Sequence, residues 1–397
     1  MHSSFYESGG QELVPLIVSL SLRRLGHEVD CFGAIIDKGS CHPQLIQKID
    51  VKHYAFEVPV PFFSSSLNHF LSYALASVYL DRFKKYDVML CFQQPSAWIA
   101  RKVKEKFKVP YVYFAQGILR ELYPRPLDIE AKTYMRIERP AAIFFAEKFR
   151  FLQNVDNEAV KNADTIIANS IKTAKELQGI YERDDVEVCY PGVDVHMFKP
   201  LPSEEVRYVF TKFNVLEPFI FTSNRHEPHK KLEWLLQMMQ SILKNDSDVT
   251  LLAVGGFNRF YTPSLLRFSR KLGLEQKVKF VGRVSQKDLI SLYNASRVCV
   301  FSSPEEDFGL GPVEAMACGK PVVAWNNAGP AETVVDGVTG LLAEPFDLED
   351  FAEKVITLLN SNMMCAEMGR KGTSYVKKNF TLDNFIRKLE DILSHYA

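Results

Sequence analysis

The segment Ser302-Ser303-Pro304-Glu305-Glu306-Asp307-Phe308-Gly309-Leu310-Gly311-Pro312-Val313-Glu314 sets two carboxylates, Glu306 and Glu314, on either side of a pair of glycines. It follows Val298 to Phe301, an apolar run that reads as a strand buried on both faces. In an open α/β sheet the crevice beyond the carboxyl ends of the strands receives the ligand. Gly309 and Gly311 let backbone approach that ligand closely, and Pro312 suits a first helical turn. The amides around Phe308, Gly309 and Leu310 would then face a phosphate. Glu306 falls on the loop and Glu314 on the first turn of the expected helix, so one carboxylate can grip a ribose diol while the other meets the hydroxyls of a second sugar. Neither needs to attack anything. The plainer alternative makes Glu306 a partner of the helix dipole and Glu314 a solvated surface charge.

A second anion feature is Thr222-Ser223-Asn224-Arg225-His226-Glu227-Pro228-His229-Lys230-Lys231, a loop between an expected strand and the helical stretch from Leu232. Arg225 offers a planar fork and Lys230 a mobile point charge, a pairing suited to neutralising a diphosphate as its bond to carbon breaks. A basic loop at a helix start is also often only solvated. At the amino terminus, Gly9-Gly10 precedes Leu13, Leu16, Ile17 and Leu20 at helical spacing, and Gly26-His27-Glu28-Val29 reads as a helix stop and return strand. Gly9 and Gly10 would permit close approach to a ligand. They do not form the G-x-G-x-x-G fingerprint, which counts against a dehydrogenase.

The elements that must hold these loops alternate as βα units, the rhythm of parallel sheets. In the first half, strands are expected at Val88 to Phe92, Val109 to Phe114 and Thr165 to Ala168, with helices at Ser96 to Phe107 and Ile171 to Gly179. In the second half they are expected at Phe219 to Thr222, Thr250 to Val254, Val278 to Val281, Val298 to Phe301 and Pro321 to Trp325. Between the halves stands Lys199-Pro200-Leu201-Pro202, whose prolines suit a linker. The 397 residues fit two domains, and 48 basic against 48 acidic residues leave no net field to attract nucleic acid. Seven scattered cysteines without a C-x-x-C pair suggest neither a disulfide framework nor a zinc site, and a reducing cytoplasm fits best. No apolar run reaches the roughly eighteen residues of a membrane span.

The chain resembles the GT-B glycosyltransferases of family 4, also called group 1, over nearly its whole length. Glu306 to Glu314 matches the family's E-x7-E signature and Arg225 with Lys230 its R-x4-K diphosphate pair. Gly9-Gly10, Asn169-Ser170, Pro191-Gly192-Val193-Asp194, Val281-Gly282-Arg283 and Gly337-Val338-Thr339-Gly340-Leu341 look like further landmarks in the expected order. The resemblance implies an α/β protein of two Rossmann-like domains facing each other across a cleft. Residues 1–198 would take the acceptor, residues 201–378 would bind the donor, and a last helix in 379–397 would pack back on the first domain. It implies a retaining hexosyltransferase that uses a nucleotide-diphosphate sugar, a saccharide or lipid-linked acceptor, no metal or other cofactor, and no protein nucleophile. Arg225, Lys230 and Glu306 would be catalytic, with Glu306 on the donor sugar. Glu314 would hold the ribose, the backbone around Arg283 and Val284 would lie near the base, and Gly9, Gly10, Gln116, Phe308, Gly309 and Leu310 would contact substrate.

Two departures stand out. The family commonly has a histidine after the strand at Tyr111 to Ala115, whereas this chain has Gln116-Gly117; glutamine cannot titrate near neutral pH, so no proton transfer is expected there. The other is the start: Met1 to Ser8 are mostly polar, too polar for the central strand that should precede Gly9-Gly10, so about six to eight apolar residues are expected upstream. Asp246-Ser247-Asp248 mimics a metal-binding Asp-x-Asp, but it precedes the strand at Thr250 and so belongs at the amino end of the sheet, away from the crevice. Tyr54, Phe56, Phe62, Phe63, Phe70 and Tyr73, with Phe144, Phe145, Phe149 and Phe151 among Arg136, Arg139, Lys148 and Arg150, suit either an aromatic core under basic surface residues or a face resting on the inner side of a membrane. Rival functions are a nucleotide-sugar epimerase or sugar phosphorylase of the same architecture, and a silent sugar-nucleotide-binding subunit.

Overall fold

The computed structural model describes residues 1–5, 9–53, 73–75, 78–120, 122–125, 139–244 and 248–396, with the side chains of 3, 4 and 139–149 outside the description. It divides into two compact units, Met1–Tyr190 with Phe385–Ala397, and Pro191–Asn384. The division falls ahead of the expected linker at Lys199 to Pro202. The reason is local: Val193 donates to the Phe380 carbonyl and accepts from Leu382, both at 2.9 Å, which ties the segment from Pro191 to the second unit. Gly192 permits this approach, since a Cβ there would lie 2.1 Å from the Thr381 carbonyl oxygen.

The first unit is built on a parallel sheet with strands β1 (His2–Phe5), β2 (Phe32–Ile36), β3 (Lys52–His53), β4 (Met89–Phe92), β5 (Tyr111–Ala115), β6 (Thr165–Ala168) and β7 (Val186–Val188), in the order β3-β2-β1-β4-β5-β6-β7. Every residue of β5 is fully buried, as an inner parallel strand requires. The expectation that Met1 to Ser8 supply no strand is overturned. β1 pairs with β2 through His2 and Gly33, Ser4 and Ile35, and Phe5 and Ile36, and with β4 through His2 and Phe92. Four residues suffice because the two end side chains are sealed: His2 and Phe5 are fully buried, with ring centroids 4.8 Å apart. Gly33 leaves room for them, as a Cβ there would come within 2.8 Å of the Phe5 ring. Helix Leu382–Ser394 returns to this unit, burying Phe385, Ile386, Leu389 and Ile392. Phe385 meets Phe114 edge-on at 5.8 Å, and Tyr396 reaches Thr165 at 2.5 Å.

The second unit repeats the plan with β8 (Phe219–Ser223), β9 (Thr250–Val254), β10 (Val278–Val281), β11 (Val298–Phe301), β12 (Val322–Trp325) and β13 (Gly340–Ala343), all parallel, in the order β10-β9-β8-β11-β12-β13. Each sheet is doubly wound: its strand order reverses between β1 and β4 in one and between β8 and β11 in the other. The covering helices bury one stripe each; Leu232–Lys244 turns Leu232, Leu235, Leu236, Met239 and Ile242 inward. No helix among the described residues is long and apolar enough to cross a membrane.

Candidate active site

The loops carrying Arg225 and Glu306 leave the carboxyl ends of β8 and β11, the two strands that flank the switch point of the second sheet. Tertiary structure joins them. Lys230 Nζ pairs with Glu306 Oε2, and Ser302 Oγ donates to the Lys230 carbonyl at 2.9 Å. Burial alone would raise the Glu306 carboxyl, but the charge and hydrogen bond of Lys230 outweigh it and hold the group below the usual carboxylate range. Glu306 is therefore ionised, in contact with one of the two cations expected to meet a diphosphate. Arg225 is partly buried on the same loop. Its neighbour His226 is fully buried between Phe257 and Phe280, with ring centroids 5.1 and 5.3 Å away, and burial pushes its pKa down to about 4, so a neutral ring anchors the loop.

Gly309 caps helix Leu310–Ala317, and its φ of +91° lies in the left-handed region that suits glycine. Gly311 is demanded by packing, since a Cβ there would sit 2.5 Å from the Phe301 ring. Phe308 is buried and packs on Phe380 at 5.9 Å, while Leu310 opens the helix partly exposed. Glu314 is the fifth helical residue, one turn deeper than the first turn expected, because the helix starts at Leu310. There it accepts a 2.8 Å hydrogen bond from Tyr293, whose hydroxyl also meets Ser223 at the end of β8. Burial pushes Glu314 up to about 7 despite that hydrogen bond. Glu306 and Glu314 thus share one loop and helix yet differ in proton affinity.

Arg283, exposed, and Val284, partly buried, follow β10. Arg283 lies against the Gly256 backbone, where a Cβ would come within 3.2 Å of its Nε. Asp248 precedes β9 and pairs with Lys277, at the amino end of the strand; Asp246 lies outside the described residues. Among the described residues no cluster of three or more His, Cys, Asp or Glu side chains could hold a metal ion.

In the first unit, Gly9, Gly10 and Gln116 gather around Gln11 at the carboxyl ends of β1, β4, β5 and β6. Gly9 caps helix Gly10–Arg24, and its φ of −147° is extended backbone open to any residue. Gln116 Nε2 donates to the Gln11 carbonyl at 3.0 Å, Gln93 Nε2 to Gln11 Oε1 at 3.1 Å, and Asn169 Nδ2 to the Gln116 carbonyl at 3.1 Å. Gln116 is 5% exposed and committed to holding backbone. The aromatics Tyr54, Phe56, Phe62, Phe63 and Phe70, Arg136, and the side chains of Phe144, Phe145 and Phe149 lie outside the described residues.

Sequence reasoning passed over Tyr293, Ser223, Gln11 and Gln93. Tyr293 sits within an apolar helical pattern that reads as core, and no local spacing ties it to Glu314. Ser223, a small polar residue closing an apolar strand, carried a usable local signal.

Residues 209–375 match the family model described as glycosyl transferases group 1, and residues 8–196 match that of glycosyltransferase family 4. Human alpha-1,3/1,6-mannosyltransferase ALG2 is 26% identical over 96% of this chain and 92% of its own length. Mannosylfructose-phosphate synthase of Agrobacterium fabrum is 24% identical over 96% of this chain and 86% of its own. Among solved structures, Anabaena Alr3699/HepE in complex with UDP-glucose superposes with a TM-score of 0.78 at 20% identity, covering 99% of both chains. Sucrose-phosphate synthase from Thermosynechococcus elongatus gives 0.80 at 20% identity over 99% of this chain and 94% of that one.

Proposed function

The chain belongs to the group 1 glycosyl transferases of the GT-B fold, and from that premise we propose that it moves a hexose-type sugar, with retention, from a nucleotide-diphosphate sugar to a saccharide or lipid-linked acceptor. The observation that carries the reading is the meeting of Lys230 with Glu306 where the loops of β8 and β11 leave the switch point. A sugar diphosphate laid across that point puts its phosphates by Arg225, Lys230 and the helix start after Gly309, and its sugar by Glu306. The ribose falls to Glu314, held by Tyr293, and the base to the backbone by Arg283 and Val284. Arg225 and Lys230 neutralise the diphosphate as its bond to the anomeric carbon breaks, so no cation is required. The donor complex of HepE with UDP-glucose supports this class of donor. A lipid-linked acceptor and a peripheral contact with the inner membrane face are part of this proposal; of the aromatic and basic side chains that motivate them, Phe151 and Arg150 are exposed.

The test is a panel of UDP-, GDP- and ADP-sugars screened by thermal stabilisation, followed by NMR of the product formed in excess EDTA. Retained anomeric configuration and undiminished turnover are expected. Inversion, loss of activity restored by magnesium or manganese, or conversion of donor without acceptor would each overturn the reading, the last in favour of an epimerase.

A further inference from the structure

Toward the amino end of the second sheet, away from the strand ends that carry Glu306, lies an open cavity of about 580 Å³. One wall is the turn Cys318-Gly319-Lys320, which ends helix Leu310–Ala317 and leads into β12; the other is helix Asn362–Asn379. Arg370, Thr373, Ser374 and Lys377 recur at helical spacing on one face of that helix, so two cations line the cavity from one side. Lys320 adds a third from the facing turn. The walls are locked together: a Cβ on Gly369 would sit 2.0 Å from the Gly319 carbonyl oxygen, and Thr373 Oγ1 donates to the Met316 carbonyl at 3.2 Å.

Among the described residues no carboxylate lines this cavity. Among the described residues no acidic group lies within ion-pair distance of Lys320, Arg370 or Lys377; the charge of Arg370 still reaches Glu367, which pairs with Lys371 at 2.6 Å. Burial, with Arg297 nearby, pushes the Lys320 ammonium below its ordinary range, as befits a cation lacking a counter-charge. Lys320 is partly buried, and the exposed Arg370 and Lys377 add positive potential to the same concavity, which favours an anion there.

We infer that this cavity is a second anion site, separate from the donor site, in which Lys320, Arg370 and Lys377 bind a phosphate group with the Ser374 hydroxyl as a further donor. The phosphate is either the free ion or part of a small phosphorylated metabolite, for which the cavity has room.

Calorimetric titration of the full chain with inorganic phosphate and with a hexose 6-phosphate, at constant ionic strength, tests the inference. Saturable binding is expected for at least one probe. It should weaken by about tenfold or more in the Arg370→Ser/Lys377→Ser double variant and in the single Lys377→Glu variant, whose positions are exposed. It should persist in an Arg225→Ser/Lys230→Ser variant, which removes the donor-side cations. Equal affinity for the two probes assigns the site to free phosphate, and tighter hexose phosphate assigns it to a metabolite; either supports the site. No saturable binding below about 10 mM, unchanged affinity in the helix variants, or loss only with Arg225 and Lys230 would overturn it. Nucleotide binding by the helix variants, kept within about twofold, shows that they are folded and separates this result from any failure of the donor-site reading.

Discussion

Glu306 and Glu314 show how surroundings divide the roles of two identical functional groups. Glu306 keeps its charge because Lys230 touches it, whereas Glu314 has a single neutral donor, Tyr293, against burial. Replacing Glu306 by Gln keeps the shape and removes the charge beside the donor sugar. Turnover should fall at least roughly a hundredfold, about 2.7 kcal/mol of transition-state stabilisation, with nucleotide affinity preserved. A loss under about threefold would remove Glu306 from the reaction. Glu314 makes a separate prediction in pH. Its pKa of about 7 when folded lies above the ordinary 4.5, so between those values the folded chain holds more protons than the unfolded one. Its contribution to stability therefore declines as pH rises through that window and levels off above it. Glu314→Gln should abolish this decline, so that denaturant melts at pH 5 and pH 8 show the variant gaining on the wild type at the higher pH. Parallel profiles would show that Glu314 does not retain a proton in the folded chain.

Among the elements, glycine backbone sets where the Glu306 loop can lie. Gly329, in helix Ala328–Thr333, donates its amide to the Glu306 carbonyl at 2.8 Å, and a Cβ there would fall 2.3 Å from the Phe308 carbonyl oxygen. Gly329→Ala must displace the loop, and a loss of roughly 2 kcal/mol or more is expected together with a fall in turnover. The same substitution should have the opposite sign at Gly179. That residue lies inside helix Ile171–Tyr181 with nothing within 4 Å of its Cβ position, so Ala is expected to stabilise by about 0.4–1 kcal/mol. Thermal melts of the two variants check both signs, and a Gly329→Ala protein with wild-type stability and turnover would refute the packing argument.

For the molecule as a whole, the last helix ties the end of the chain to its first unit. Phe385, Ile386, Leu389 and Ile392 are all buried there, Lys388 donates to the Val188 carbonyl at 2.6 Å, and Glu390 meets His27 at 2.6 Å. Burying four such side chains contributes on the order of 6 kcal/mol or more, comparable with the whole stability of a domain. A chain ending at Asn384 should therefore lose protease resistance in residues 1–190 while residues 191–384 persist as a folded fragment. Equal resistance of both units, at a melting temperature near that of the full chain, would show the helix to be dispensable.

Strand positions were legible because a parallel strand covered on both faces must be apolar nearly throughout, as Val298 to Phe301 and Thr250 to Val254 are. The rule failed at His2–Phe5, where a four-residue strand is buried by its surroundings, His2 packing at a tilt on Phe5 against Gly33, rather than by its own composition. Arg225, Lys230, Glu306 and Glu314 stood out because local spacing around glycines and a strand end is written along the chain. The pairing of Lys230 with Glu306 was not, since it depends on β8 and β11 lying side by side, and that adjacency arises only when the strand order reverses. Tyr293 was hidden for the same reason: its hydroxyl finds Glu314 and Ser223 through the packing of a helix whose sequence reads as ordinary core. Local backbone chemistry is thus carried by neighbours in sequence, whereas the charge state of each carboxylate is decided by burial and by partners that only the folded sheet brings within reach.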